Sequence, residues 1–318
     1  MRYKEKAIDF IANSMWIGKT VKTFAHDPTS DQKEYDDYVT YTTGLTGLLL
    51  SELKNPNKKL VGMLRAMSIY IHSELIIGKF WMWSALHSDL RKFIPLDIDT
   101  SSINSEFLRT QGIQLENHNA LSKNQPKDKQ KGFYSWIIPR KSYLRESIKT
   151  MYAIYRHSFY RRRYWKMTPS RPYECNDFMS VNLYHYMVIN DRKHLQEAED
   201  FLNQFDSIDD MHDIYYRNKY LNYYFASRVL KYSTNKDLRV KFTPQIKDTK
   251  PLSDLELSSV ILALKGLDLD VPSDWRLDLK SRQLEDGSWN KYDVFTFGGN
   301  TTWRSPGLNA ALALAALE

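Results

Sequence analysis

Apolar residues recur at steps of three and four in Ala7–Trp16, Leu60–Leu75, Tyr143–Tyr155, Leu195–Phe205 and Tyr220–Tyr232. That spacing lays them along one face of a helix and leaves the charged positions for water. A second set of segments starts after turns and is rich in small or apolar residues: Val39–Leu53, Ser101–Arg109, Phe178–Ile189, Leu257–Leu267 and Leu308–Leu317. Helices apolar on every side belong in an interior, whereas one-sided helices face solvent. Strand-like alternation is nearly absent. The pattern predicts an all-α chain in which inner and outer helices alternate, as a closed ring of αα-hairpins requires. The spacing is irregular, which excludes a short-period solenoid.

Polar segments separate these helices. His26–Lys33, Glu116–Lys131, Pro169–Asn176, Phe205–Asp213 and Asn235–Ser253 read as loops. The stretch NHNALSKNQPKDKQKG, Lys-rich and broken by Pro126, is the one expected to move. No composition shift marks a domain boundary.

Composition narrows the class. The chain has 318 residues, of which 42% are hydrophobic, enough for a substantial core. Aromatics reach 14%, with 21 Tyr, 14 Phe and 8 Trp, a surplus that suits core filling and also a pocket for an oily or cationic guest. A single cysteine, Cys175, excludes an internal disulfide and a Cys-paired zinc site. The first residues, MRYKEKAIDFIANSMW, carry charges inside their apolar pattern and do not read as a signal peptide. No apolar run approaches the length of a membrane span. The expected location is therefore cytoplasmic. Net charge is +7, with basic groups at Arg161, Arg162 and Arg163 and at Lys54, Lys58 and Lys59. Such groups serve as solvated surface, as contacts to an anionic membrane face, or as contacts to a phosphorylated substrate. Nucleic acid is not expected, because no zinc-finger, RNP or helix-turn-helix signature is present.

The stretch PLDIDTSS, residues 95–102, carries the candidate chemistry. Pro95 disfavours helix at Ile94, and Thr100, Ser101 and Ser102 favour a helix start. Asp97 and Asp99 would converge on an extended segment and point about 200° apart on a continuous helix. One reading makes an acid here a helix cap that suits the dipole. The other makes it a proton donor, since burial and a neighbouring carboxylate both raise a carboxyl pKa.

Gln283, Gly287 and Trp289, in QLEDGSW, fit the Q-x-x-x-G-x-W repeat of squalene and terpene cyclases, and WRSPGLNAALALAAL after it resembles an inner helix of that superfamily. The stretches GFYSW from Gly132 and CNDFMSVN from Cys175 resemble other inner-hairpin entries. Asp97-Ile98-Asp99-Thr100-Ser101 resembles the D-x-D-T-T variant of the class II D-x-D-D motif. The superfamily, which includes protein prenyltransferase β subunits, implies one (α/α)-barrel, or toroid, of about five to six hairpins over residues 1–318. It implies proton-initiated cyclisation of a linear isoprenoid, with Asp99 as general acid, Asp97 beside it and Thr100 in the third motif position. Cation-stabilising walls would come from Trp81, Trp83, Phe133 and Trp136, and from Tyr184, Trp289 and Trp303. A diphosphate head group would need Arg140, Arg161 or Arg304. No cofactor is expected, magnesium entering only with a diphosphate substrate. A lone barrel would be closed by a second copy, by the Glu116–Lys131 loop or by a separate partner, with peripheral membrane contact as a further option. The alternative is a barrel of the same family that binds a prenyl or other apolar ligand, or a partner protein, without turnover.

Two patterns compete with this reading. Asp209, Asp210 and Asp213 spell the D-D-x-x-D of class I terpene synthases, but an acidic cap explains them as well. Asn176 and Asp177 begin the second class I motif, which should end in Glu where this chain has Tyr184. Cys175 follows Glu174 without the D-x-C spacing of prenyltransferase zinc, so no metal is expected.

Overall fold

The computed structural model describes residues 2–26, 35–85, 88, 91, 94–128, 132–159, 162–216, 218–296 and 301–318. Elements are numbered in chain order. Among the described residues, six helices are buried along nearly their whole length: α2 (Thr40–Ser51), α4 (Ile98–Thr110), α8 (Asp177–Asn190), α10 (Lys219–Leu230), α12 (Asp254–Gly266) and α14 (Pro306–Leu317). They pack in a closed circuit, α2 on α4, then α8, α10, α12 and α14, which returns to α2. The remaining helices are α1 (Arg2–Asn13), α3 (Lys58–Ser73), α5 (His118–Ser122), α6 (Ile148–Phe159), α7 (Arg162–Met167), α9 (Leu195–Asn203), α11 (Lys236–Lys247) and α13 (Ser273–Ser281). Of these, α1, α3, α9, α11 and α13 pack against the outside of the circuit.

Five of the six inner helices begin on polar caps, α2 starting instead after Val39. The side chains of Asp97, Asn176, Asn218, Ser253 and Ser305 accept from the free backbone N–H groups that open α4, α8, α10, α12 and α14. Each such cap is worth about 1 kcal/mol. The approach of α2 to α4 is close enough that a Cβ on Gly47 would lie 2.6 Å from the Phe107 ring.

The all-α expectation is corrected by two antiparallel sheets. One joins β1 (Met15–Trp16), β2 (Thr20–His26), β8 (Thr302–Arg304) and β7 (Asp293–Thr296), with β3 (Tyr35–Tyr38) also on β2. The other joins β4 (Trp81–Met82), β5 (Leu96–Asp97) and β6 (Trp136–Ile137). Strands of two to four residues leave no periodic signal, and β2, though seven residues long, blurs the alternation by putting Thr23 on its buried face and Phe24 on the other.

Three other expectations change. Residues 220–232, expected as an outer helix, fall largely on α10, which is inner; its Asn222, Ser227 and Arg228 look like a wet face but are bonded inside the protein. The expected loop 235–253 holds α11, whose Leu238, Phe242 and Ile246 lie buried at four-residue steps around Pro244. The expected loop 116–131 carries α5, and its Asn117, Ala120, Leu121 and Asn124 are buried. Residues 129–131, the loop at 27–33 and Arg161 lie outside the described residues.

The QLEDGSW stretch ties the end of the circuit to its beginning. Gln283 donates from Nε2 to the carbonyls of Tyr3 (3.0 Å) and Gly287 (3.1 Å), and Trp289 donates from Nε1 to Leu279 O (2.8 Å). Gly287 sits at φ +91°, with the Lys6 carbonyl oxygen filling the space a Cβ would need.

Candidate functional site

Strand β5 is only two residues long, yet it carries Asp97 into the middle of a three-stranded sheet, paired with Trp81 on β4 and Trp136 on β6. The backbone stays extended at Asp97 (φ −129°, ψ 156°) and turns helical at Ile98. Asp97 is therefore the cap of α4 and Asp99 belongs to its first turn, which places both carboxyls at the N-terminal end of an inner helix. Oδ1 of Asp97 accepts from Thr100 N (2.6 Å), while its Oδ2 is buried without a hydrogen-bond partner. Thr100 contributes that N–H, and its own Oγ1 is also unpartnered.

Asp99 is bonded on both oxygens. Asn182 Nδ2 donates to Oδ1 at 2.9 Å, and the Tyr216 hydroxyl donates to Oδ2. Tyr216 also shares a hydrogen bond with Tyr41 at 2.6 Å. Both acids are almost wholly buried, at 2% and 3% exposure. Burial raises the Asp97 carboxyl to about 8, against the help of the Thr100 N–H. It raises Asp99 to about 7, against the two donors from Tyr216 and Asn182.

The polar groups continue along the axis of the circuit. Arg228 on α10 donates from Nη1 to Asn182 Oδ1 (3.4 Å) and from Nη2 to Oε2 of Glu106 on α4. His185 Nδ1 lies 3.0 Å from the same Oε2. Burial opposes the charge on Glu106, but Arg228 and His185 outweigh it and hold the carboxyl at about 2. Burial, with Arg228 beside it, keeps His185 below the usual histidine range. Asn182, Tyr216, Tyr41, Arg228 and Glu106 are not among the candidates that the sequence pattern singles out. For Asn182, Tyr41, Arg228 and Glu106 the signal is a polar or charged group inside a buried helix, and for Tyr216 a tyrosine just before α10; only partners across the core make them legible.

The cavity at Asp97 and Asp99 is lined by Tyr41, Trp83, Trp136, Tyr215, Tyr216 and Phe295, among others. Trp136, whose Nε1 is buried without a hydrogen-bond partner, lines this cavity together with Asp97. The volume is about 20 Å³. That holds one water and no prenyl chain.

The other candidates fall in different places. Trp83 and Trp136 line the cavity, and Trp303 adjoins it, meeting Trp83 edge-on at 5.2 Å and donating to Asp37 Oδ2 at 3.0 Å. Trp81 is turned away, its Nε1 on Ile71 O. Phe133 and Tyr184 pack against each other at 4.9 Å in the core, and Trp289 packs at the α13 joint. Arg140 stacks 3.5 Å over Tyr134 and bonds Asn124, and burial lowers it to about 10. Arg304 is paired with Asp293. These contacts bring neither arginine to the cavity, whose lining holds no cation among the described residues.

The D-D-x-x-D stretch is taken up by structural bonds. Asp210 closes a capping box with Ser207. Asp209 accepts from Tyr223 and Lys219, and Asp213 from Asn176, Asn222 and two backbone N–H groups. Among the described residues no three His, Cys, Asp or Glu side chains are grouped to hold a metal. No helix among them is long and apolar enough to cross a membrane.

No protein-family model and no curated protein matches the chain. Solved structures do. A protein from Actinoplanes superposes with a TM-score of 0.67 at 13% identity, covering 99% of this chain and 98% of that one. A type II terpene cyclase from Scytonema, in complex with its substrate geranylgeranyl dihydroxybenzoate, gives 0.67 at 10% identity, covering 99% and 95%. An unsaturated glucuronyl hydrolase specific for heparin gives 0.55 at 10%, covering 99% and 95%. At such identities the likeness is one of architecture: the chain has a terpene-cyclase-like fold, mostly helical, with strands in two sheets.

Proposed function

We propose that the chain is a class II terpene-cyclase-like (α/α)-barrel that protonates a linear isoprenoid through Asp99. The observation that carries this reading is the pair of buried carboxyls, Asp97 and Asp99, raised to about 8 and 7 beside one aromatic-walled cavity. Near neutral pH such a pair retains a proton. The two acids differ in what they leave behind. Ionised Asp97 keeps the Thr100 N–H on Oδ1 but faces the like charge of Asp99, whereas ionised Asp99 is met by Tyr216 and Asn182, with Arg228 behind Asn182. Asp99 is therefore the acid with the better-held conjugate base.

In the reaction the Asp99 proton adds to one alkene carbon, the π pair forming the new C–H bond and leaving a tertiary cation at the other carbon. A second alkene of the same chain attacks that cation, closing a ring. Loss of a proton from a neighbouring carbon to solvent base ends the sequence, and solvent restores the Asp99 proton. Tyr41, Trp83, Trp136, Tyr216 and Phe295 offer electron-rich faces to the cation. The substrate carried by the Scytonema cyclase, a geranylgeranyl chain on an aromatic acid, supports an isoprenoid of that class as the guest.

The 20 Å³ cavity favours a second reading, a barrel that keeps the fold without turnover. A prenyl chain reaches Asp99 only if the aromatic walls are displaced. The experiment is incubation of purified protein with farnesyl or geranylgeranyl diphosphate, or with geranylgeranyl dihydroxybenzoate, followed by mass spectrometry of extracted products. Cyclised product from the parent and none from Asp99→Asn is expected. Absence of product with all three substrates, or product undiminished in Asp99→Asn, would overturn the cyclase reading.

A further inference from the structure

A much roomier cavity lies at the other end of the ring. Its volume is about 700 Å³, within the range of small-molecule sites, and residues at the C-terminal ends of all six inner helices line it: Glu52, Arg109, Ile189, Lys231, Lys265 and Ala315. Its walls carry Lys54, Arg109, Arg192, Arg228, Lys231 and Lys265 against Glu52, Glu106 and Glu318. Helix C-termini attract cations on their own account, so each basic group has to be weighed against that duty. Arg109 donates to Ile189 O and Lys265 to Ala315 O, and both are spent on helix ends. Arg228 is bound to Glu106 and Asn182 on the floor.

Three cations remain. The structure gives the ammonium groups of Lys54 and Lys231 no hydrogen-bond or ion-pair partner among the described residues, and the guanidinium of Arg192 has only the Tyr232 ring, 4.1 Å away. That stacking holds Arg192 at the rim without using its N–H groups. Leu53, Ile189, Leu262, Tyr224 and Ala315 also line the chamber and give it apolar surface.

We infer that this chamber binds a small amphiphile whose head is an oxyanion, phosphate or carboxylate, held by Lys54, Arg192 and Lys231, with its tail against Leu53, Ile189 and Leu262. The guanidinium fork and two long-stemmed ammonium groups suit a tetrahedral or planar anion, and the apolar wall excludes a bare inorganic ion as the best guest. The site lies at the opposite end of the ring from Asp99 and does not depend on cyclase chemistry.

The test is calorimetric titration of the whole chain with octyl phosphate, beside octanol and inorganic phosphate. Saturable one-to-one binding of octyl phosphate is expected, about tenfold or more tighter than either half-molecule, and weakened by added sodium chloride. Replacing Lys231→Gln together with Arg192→Gln, both exposed and expected to leave the fold intact, should cost a further factor of about ten. Binding of octyl phosphate no tighter than octanol, insensitivity to salt, or unchanged affinity in the double variant would each overturn the inference. The readout uses no isoprenoid, so failure of the cyclisation assay leaves it standing.

Discussion

Asn182 on α8 donates from Nδ2 to Asp99 Oδ1 at 2.9 Å while its own Oδ1 accepts from Arg228 at 3.4 Å. One amide thus connects the acid to the buried guanidinium, which favours the anionic form of Asp99. Asn182→Ala should raise the Asp99 pKa above about 7. It should also cost about 1–3 kcal/mol of stability, the usual penalty for stranding buried partners. Carboxyl-carbon NMR titration and urea melts check both; an unmoved Asp99 titration would remove Asn182 from the account.

The acid pair makes stability fall with rising pH. Asp97 and Asp99 have folded pKa values of about 8 and 7, above the ordinary aspartate value of 3.8. Between roughly pH 4 and 8 the folded chain therefore binds more protons than the unfolded one. The stabilisation is full below the unfolded pKa and is lost as pH climbs through the folded values, at up to about 1.4 kcal/mol per pH unit for each carboxyl. Urea midpoints measured across that interval should decline, and should decline less in Asp97→Asn. Midpoints that rise with pH in both proteins would contradict the raised pair.

Arg228 and Glu106 form a buried pair at the other end of the axis. Arg228→Met leaves the Glu106 carboxylate without its main counter-charge and should destabilise by about 3–5 kcal/mol. Adding Glu106→Gln removes the stranded charge and should restore much of that loss. Chemical denaturation of the two variants separates charge burial from mere loss of packing, which the second substitution would not repair.

Gly287 and Gly18 both have positive φ, but only Gly287 is crowded, with the Lys6 carbonyl oxygen where an added methyl group would have to go; nothing lies within 4 Å at Gly18. Gly18→Ala should cost about 1–2 kcal/mol from backbone strain alone. Gly287→Ala should cost clearly more, because the α13 joint has to move off α1. Thermal melts of equal size for the two would argue against that contact.

What can be read from the sequence follows the size of the signal. The long apolar helices α2, α8, α12 and α14 declare themselves through composition, and PLDIDTSS through its proline and hydroxyl residues. Helix α10 does not, because Asn222 and Arg228 mimic a wet face until Asp213 and Glu106 are seen opposite them. Strands β4, β5 and β6, two residues each, leave no period to detect, although they set the position of Asp97 between Trp81 and Trp136. Of the seven aromatics expected as walls, Trp83 and Trp136 reach the cavity, while tertiary packing sends Trp81 and Trp289 to backbone carbonyls elsewhere.

All six inner helices end at the same chamber, so they run in one direction, and the chain must travel back outside the ring between each and the next. Those return paths are of unequal make: α3 is one long helix, the passage from α4 to α8 is broken into α5, β6, α6 and α7, and α11 carries a proline, Pro244, inside it. Lengthening or trimming a return path leaves the circumference unchanged, whereas deleting an inner helix would force the circle to close on five members. Variation in loop length and grafted segments should therefore be tolerated on the outer surface, while the inner circle keeps its number and sense.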